Sequence, residues 1–383
     1  MTVAVLPQPV VRTPIEARLP VLKVLGLGGA GCNAINRMIE LGIPGVEFIA
    51  ANTDCQVLES NLATTHIQLG PKLTHGLGAG GNPGTGEAAA EESYRELNAT
   101  LAGADMVFLA AGMGGGTGTG SISVAARIAR ATGAIVVAVV STPFSFEAGR
   151  RQQNAHEGLS KLRPYADTLI TVPNDRLLSL ASPDLPLELA FRLADDVLRQ
   201  GIQGISELVT QPGTIHVDFA HIRNFMQNGQ GAILSLGVGQ GENKALKAIE
   251  NALHHPLLDS IEVGNASGIL CNFTGGSDLT FMEVTDALNL LQKKTNDQAE
   301  IIPGVISDPH MVDRVQVIMV ITGIGGTSVD RRNPVTSEVT PDSHESKSIA
   351  ASDPVDHTVI NSKGTLDPRT NLDIPAFLRR RAR

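Results

Sequence analysis

Gly112-Met113-Gly114-Gly115-Gly116-Thr117-Gly118-Thr119-Gly120 is the stretch around which the rest of the chain can be read. Ahead of it, Asp105 to Ala111 is a short apolar run of buried-strand length, and behind it Ser121 to Ala131 has the pattern of a helix. The segment therefore joins a strand to a helix start. Six glycines in nine residues permit positive φ and let an anion approach the backbone N–H groups closely. A helix N-terminus adds about half a positive charge at the same point. Thr117 and Thr119 offer hydroxyl donors, and the absence of lysine separates this phosphate cradle from a Walker A loop. A flexible linker is the competing reading, and it fits poorly between a buried strand and a helix.

The chain of 383 residues exceeds one ordinary domain, so two domains and a tail are expected. Its net charge of −9 argues against a nucleic-acid partner, although local basic clusters stay open. Aromatic residues make up only 3% with no tryptophan, which disfavours base-stacking platforms. Cys32, Cys55 and Cys271 lie far apart, with neither metal-ligand nor disulfide-framework spacing, and a reducing cytoplasm is the simplest setting. No apolar run reaches the ~18 residues that span a bilayer, and no secretory signal opens the chain, so any membrane contact is expected to be indirect.

Residues 1–20 contain four prolines without periodicity and read as a disordered leader. Val21 to Leu25 reads as a strand running into Gly26-Leu27-Gly28-Gly29-Ala30-Gly31, with a helix from Cys32 to Leu41. A second strand, Val46 to Ala51, ends at Asn52-Thr53-Asp54. A third glycine-rich segment, Gly76 to Gly84, precedes a helix from about Gly86 to Leu101. Further strands are expected over Ile135–Val140 and Thr168–Val172, again with polar residues at their carboxyl ends. This alternation predicts an α/β fold: a Rossmann-like parallel sheet over 21–186 with one nucleotide-sized crevice at the strand ends. From Leu187 to about 210 an apolar stripe (Leu189/Ala190, Leu193/Ala194, Val197/Leu198, Ile202, Ile205) predicts a long connecting helix. Residues 211–326 read as a smaller α+β domain with strands over 232–236, 267–273 and 315–320 and helices over 243–254 and 281–293. Ser, Thr, Asp, Pro and His dominate 327–371, predicting a disordered linker, and Leu372 to Arg383 is a short apolar-basic tip suited to docking.

Two function classes compete. Gly26, Gly28 and Gly31, with Glu47 and Asp54 roughly twenty residues on, fit a dinucleotide fingerprint and hence an NAD-dependent dehydrogenase. The second, larger phosphate loop at 112–120 has no use in such an enzyme, and several strand-end loops on one crevice suit a nucleoside triphosphate better. The chain resembles the FtsZ family, the tubulin-related GTPases of bacterial and plastid division. The resemblance rests on Gly112 to Gly120, Gly28 to Asn33, Asn52-Thr53-Asp54, Gly76 to Pro83 and Pro143-Phe144-Ser145-Phe146-Glu147, in the family's order. It covers about 21–326 and resumes at 372–378.

The resemblance implies a GTPase that polymerises head to tail in the cytoplasm, with Mg²⁺ held through the nucleotide. A membrane-tethering division adaptor would be bound through Leu372 to Arg383. It implies that Gly28, Gly29, Ala30, Cys32 and Gly112, Gly114, Gly115, Gly116, Thr117, Gly118, Thr119 and Gly120 surround the phosphates. Pro143, Glu147 and Arg151 would lie by the ribose and phosphates; Asn33, Asn174 and Asp195 would read guanine, with Phe191 stacking on it. From the residues alone, Phe191 reads equally as core, Asp195 beside Asp196 as a solvated face, and Asn33 as a helix cap. Where the family's catalytic loop has Asn-x-Asp-x-x-Asp, this chain has His216-Val217-Asp218-Phe219-Ala220-His221. Only Asp218 is retained, so slow hydrolysis is expected. A filament-forming paralogue with weak activity, co-assembling with an active partner, is the alternative.

Overall fold

A computed structural model describes residues 19–323 except 148, 179–185, 212, 216, 228–229 and 259–262. The expected leader apart from Leu19 and Pro20, the linker, the docking peptide and His216 lie outside the described residues. In chain order the first half runs β1 (Leu22–Leu27), α1 (Gly28–Glu40), β2 (Val46–Asn52), α2 (Cys55–Glu59), β3 (Thr65–Gln68), α3 (Pro71–Thr74), α4 (Pro83–Glu92), α5 (Tyr94–Leu101), β4 (Met106–Gly112), α6 (Thr117–Ala131), β5 (Ile135–Thr142), α7 (Gly149–Leu162), β6 (Thr168–Pro173) and α8 (Asn174–Leu178). The second half runs α9 (Leu187–Thr210), α10 (Phe219–Gln227), β7 (Gln230–Gln240), α11 (Lys244–Leu253), β8 (Gly268–Gly275), α12 (Phe281–Lys294), β9 (Glu300–Ser307) and β10 (Arg314–Thr322).

The strands form one sheet in the order β3-β2-β1-β4-β5-β6-β7-β10-β8-β9. Pairing is parallel except where β10 lies between β7 and β8. β1 and β4 are apolar at nearly every position because both their faces are covered. The period of two sends Leu22, Val24, Met106 and Phe108 into a core shared with α1 and α9. It sends Leu25, Leu27, Val107 and Leu109 into the opposite core, against α4, α5 and α6. A third core joins α11 and α12 to β8 and β10. The sheet continues across the expected domain boundary, since β6 pairs with β7 over Thr168–Ile170 and Gln230–Ala232.

Several expectations need correction. The helix expected over 86–101 is two helices, α4 and α5, that meet at Ser93. The Ser93 hydroxyl accepts from the Gly70 N–H at 3.0 Å and donates to the Gln68 carbonyl at 3.1 Å, so it ties the break to the end of β3. α1 and α6 each begin about four residues earlier than expected, inside the glycine runs. Leu189, placed on the apolar stripe of α9, is 44% exposed. The long helix expected from Leu187 to about 210 is α9, and a Cβ at its Gly204 would lie 2.7 Å from Ile318, so the glycine lets α9 lie close on β10.

Candidate nucleotide site

An open cleft of about 770 Å³, solvent at its mouth included, lies at the carboxyl ends of β1, β4, β5 and β6, the edge where ligands of open parallel sheets bind. From β1 and the start of α1 it is lined by Leu27, Gly29 and Ala30, and from β4 and α6 by Gly112, Met113, Gly115, Gly116, Thr117 and Gly118. Ser141 comes from β5, Pro143 and Glu147 from the segment after it, Arg151 from α7, Asn174 from α8, and Phe191, Ala194 and Asp195 from α9.

Its floor is made by two helix starts. α1 has 13 residues, α6 has 15, and neither N-terminus is capped by a side chain. The first N–H groups of a helix have no intrahelical partner. Two such ends on one cleft make a strong anion site. The loop between β4 and α6 is braced from within. Gly114, at φ +100°, donates its N–H to Thr119 Oγ1 at 2.8 Å, while Asn154 Nδ2 donates to its carbonyl at 3.2 Å. Thr119 is buried, so its hydroxyl shapes the loop instead of facing the cleft. Thr117 lines the cleft, and its hydroxyl lies 2.6 Å from that of buried Thr53 at the end of β2.

Not all six loop glycines serve an anion. A Cβ at Gly120 would stand 2.0 Å from the Pro83 carbonyl oxygen and 2.5 Å from the Glu87 nitrogen, so this glycine lets α4 lie directly on α6. At Gly115, by contrast, φ is not positive and a Cβ would meet nothing within 4 Å. Gly28, though expected among the phosphate-binding residues, is buried with its Cα packed towards Gly118. Cys32 is also placed away from the cleft surface. Its thiol is in the core, 3.9 Å from the Ala51 carbonyl, and burial pushes it up to about 12, so it is no nucleophile at neutral pH.

The far end of the cleft has the groups for a purine. Phe191 is 38% exposed, edge-to-face with Phe144 at 5.5 Å, which places it on the cleft and not in the core. Phe144 in turn stacks on Phe146 at 5.1 Å. Asp195 is buried, and burial raises its carboxyl to about 7, with Arg37 pulling it down and Asp196 pushing it up. The solvated-face reading of Asp195 therefore fails. Asn174 is buried with an Oδ1 that has no partner, a costly arrangement that a ligand N–H would relieve. Asn33 lies in an adjoining cleft with Asn36 and Arg37, continuous with the first through Phe191 and Asp195. Glu147 accepts from the Phe144 N–H at 2.9 Å and pairs with Arg151, fixing that arginine at the rim.

The two acids that a dinucleotide reading requires are used elsewhere. Glu47 pairs with Lys23 at 3.3 Å, and Asp54 caps α2 by accepting from the Gln56 N–H at 2.9 Å.

Residues 21–182 match the family model for the Tubulin/FtsZ family, GTPase domain, and residues 230–325 that for the FtsZ family, C-terminal domain. A solved FtsZ dimer from M. jannaschii is 42% identical, with a TM-score of 0.77 over 81% of this chain and 90% of that one. The chain belongs to the Tubulin/FtsZ family of GTPases. Two Haloferax volcanii proteins share the fold at lower identity. CetZ2, solved as a GTPgS bound protofilament, is 20% identical with a TM-score of 0.67, covering 79% of this chain and 93% of that one. CetZ1, solved as a GDP bound monomer, is 19% identical with a TM-score of 0.68, covering 80% of this chain and 96% of that one. This membership replaces the dehydrogenase reading.

Asp218 and His221 are not brought to the cleft. Phe191 and Asp195 sit in the first turns of α9, whereas Asp218 and His221 follow its last residue, Thr210. A helix of 24 residues is about 36 Å long. Both residues are exposed, and His221 Nε2 lies 2.9 Å from Glu300 Oε1. Sequence reasoning missed Thr53, Ser141, Asn154 and Arg37. Of these Thr53 and Ser141 stood at strand ends already singled out, and nothing local marks the other two.

Proposed function

We propose that this chain binds GTP in the cleft at the ends of β1, β4, β5 and β6, polymerises head to tail, and hydrolyses GTP at the junction between subunits. The observation that carries this reading is the ~22–28 Å of α9 that runs from Asp195 and Phe191 to Thr210, beyond which Asp218 and His221 lie. Within one subunit these groups have no access to the nucleotide, but a second copy stacked along α9 would present them to it. The N–H groups at the starts of α1 and α6 would hold the phosphates; Asp195 and Asn174 would accept from guanine's N1–H and amino group, and Phe191 would cover the base. Mg²⁺ would arrive with the triphosphate, neutralising its β and γ oxygens while keeping most of its waters.

Turnover is proposed to be slow, because the resemblance places a carboxylate where His221 stands. An imidazole can accept a proton from water, but it does not attract a cation as a carboxylate does. General-base assistance contributes about 10²–10⁴-fold, and the deficit should fall within that range. In the cell the filament would form the division ring at the inner face of the membrane, tethered by an adaptor that binds Leu372 to Arg383. The His221 substitution also favours a second reading, a paralogue that co-assembles with a faster partner.

Sedimentation with GTP against GDP, run beside phosphate release, tests the proposal. GTP-dependent polymer with slow release is expected, and a rate that rises in His221→Asp and in His216→Asn/His221→Asp. A wild-type rate equal to or above both variants would show the histidines to be competent replacements. GTP-independent sedimentation would remove the polymerisation reading.

A further inference from the structure

The Asp-to-His replacement that the resemblance implies at position 221 does not leave the site without a carboxylate. Glu300, the first residue of β9, puts Oε1 2.9 Å from His221 Nε2, although the two are 79 residues apart. The segment that carries His221 is fastened to the same strand by its backbone. The Thr214 N–H donates to the Val305 carbonyl at 2.8 Å, and Ile215 bridges Val305 antiparallel. Strand β9 thus supports the segment before α10 through the backbone and His221 through a side chain.

A carboxylate can only accept, so in this contact Nε2 carries the hydrogen and donates it. In the neutral imidazole this leaves the Nδ1 lone pair as the basic nitrogen. Resting on the reading that His221 faces the next subunit's nucleotide, we propose that Glu300 is a positioning residue for GTP hydrolysis, holding His221 in the tautomer whose Nδ1 takes the proton from the attacking water. The water oxygen bonds to the γ-phosphorus as its proton passes to Nδ1. The bond from that phosphorus to the β–γ bridging oxygen breaks, and its electron pair leaves with GDP. The imidazolium, still bonded to Glu300, then returns its proton to solvent. The arrangement follows the logic of a base oriented by a third group.

Both side chains are more than half exposed, and an exposed ion pair adds little to folding. Removing Glu300 should therefore spare the fold and the polymer. Phosphate release is measured on full-length wild type, Glu300→Ala, Glu300→Gln, His221→Ala and the double alanine variant, with sedimented polymer and KM for GTP followed in parallel. Glu300→Ala is expected to lower kcat about tenfold through loss of orientation, with KM and polymer mass unchanged. Glu300→Gln should restore most of the rate, because an amide oxygen still accepts from Nε2–H. His221→Ala should cost about a hundredfold, and adding Glu300→Ala to it should cost nothing more. A Glu300→Gln rate as low as that of Glu300→Ala, or an equal Glu300→Ala loss with and without His221, overturns the proposal. If His221→Ala is slow but Glu300→Ala is not, this inference fails while interface catalysis stands. If His221→Ala matches wild type, or wild type releases no phosphate, both fall.

Discussion

If Asp195 reads the base as proposed, its raised carboxyl should make nucleotide affinity depend on pH. Burial raises its folded-state value from 3.8 to about 7. Guanine offers two N–H donors, which favour the ionised form, so binding must expel a proton from the fraction of molecules that hold one. The apparent Kd then scales as 1 + 10^(pKa−pH). With a value of about 7 this is a factor of ~11 at pH 6 and ~1.1 at pH 8, a tenfold weakening worth about 1.4 kcal/mol. Titration calorimetry with GDP from pH 6 to 8 reads it directly. The phosphates of GDP titrate in the same range, so the decisive quantity is the difference in slope between wild type and Asp195→Asn. Equal slopes would refute the assignment of Asp195 to the base. The same raised carboxyl bears on stability. Its contribution is fully present below pH 3.8 and is lost as pH rises to about 7. Thermal unfolding of the nucleotide-free protein should therefore decline over that window and flatten in Asp195→Asn.

Gly115→Val should fold normally and lose GTP binding, because its side chain projects into open space where a phosphate would sit. Unchanged affinity by calorimetry would exclude the loop as the phosphate site. Gly120→Ala should instead lower stability by about 1–3 kcal/mol in urea unfolding, since its Cβ collides with backbone of α4; a wild-type midpoint would contradict that close contact. Truncation after Thr370 should leave polymerisation intact and abolish recruitment to a membrane-bound adaptor. Loss of sedimentable polymer in that variant would refute the division of labour. The rate increase expected of His221→Asp is the fourth test, and a fall in rate would count against the proposed deficit.

Strand cores such as Met106 to Ala111 were legible from sequence because buried parallel strands are continuously apolar, and a glycine run after a strand states that a backbone must be approached there. What approaches it was not legible. At Gly114 it is Pro143 and Arg151, at Gly120 it is α4, and at Gly115 it is open space. Elements with weak apolar patterns escaped as well. β3 is a four-residue edge strand, and β9 contains Pro303, tolerated at an edge where the missing N–H donates to nothing. α7 buries only Ala155, Gly158 and Leu162 among polar residues. The residue types for reading guanine could be proposed from family likeness, but whether Phe191 and Asp195 were core, surface or site depended on the face of α9 that meets the cleft. That face is set by packing against strands far away in the chain. Thr119 and Cys32 show the same limit in reverse, drawn inward to serve the loop and the core. The pattern of one segment specifies its own period and burial; which partner lies 3 Å away is decided by long-range packing, and so only in the folded chain did His221 find Glu300.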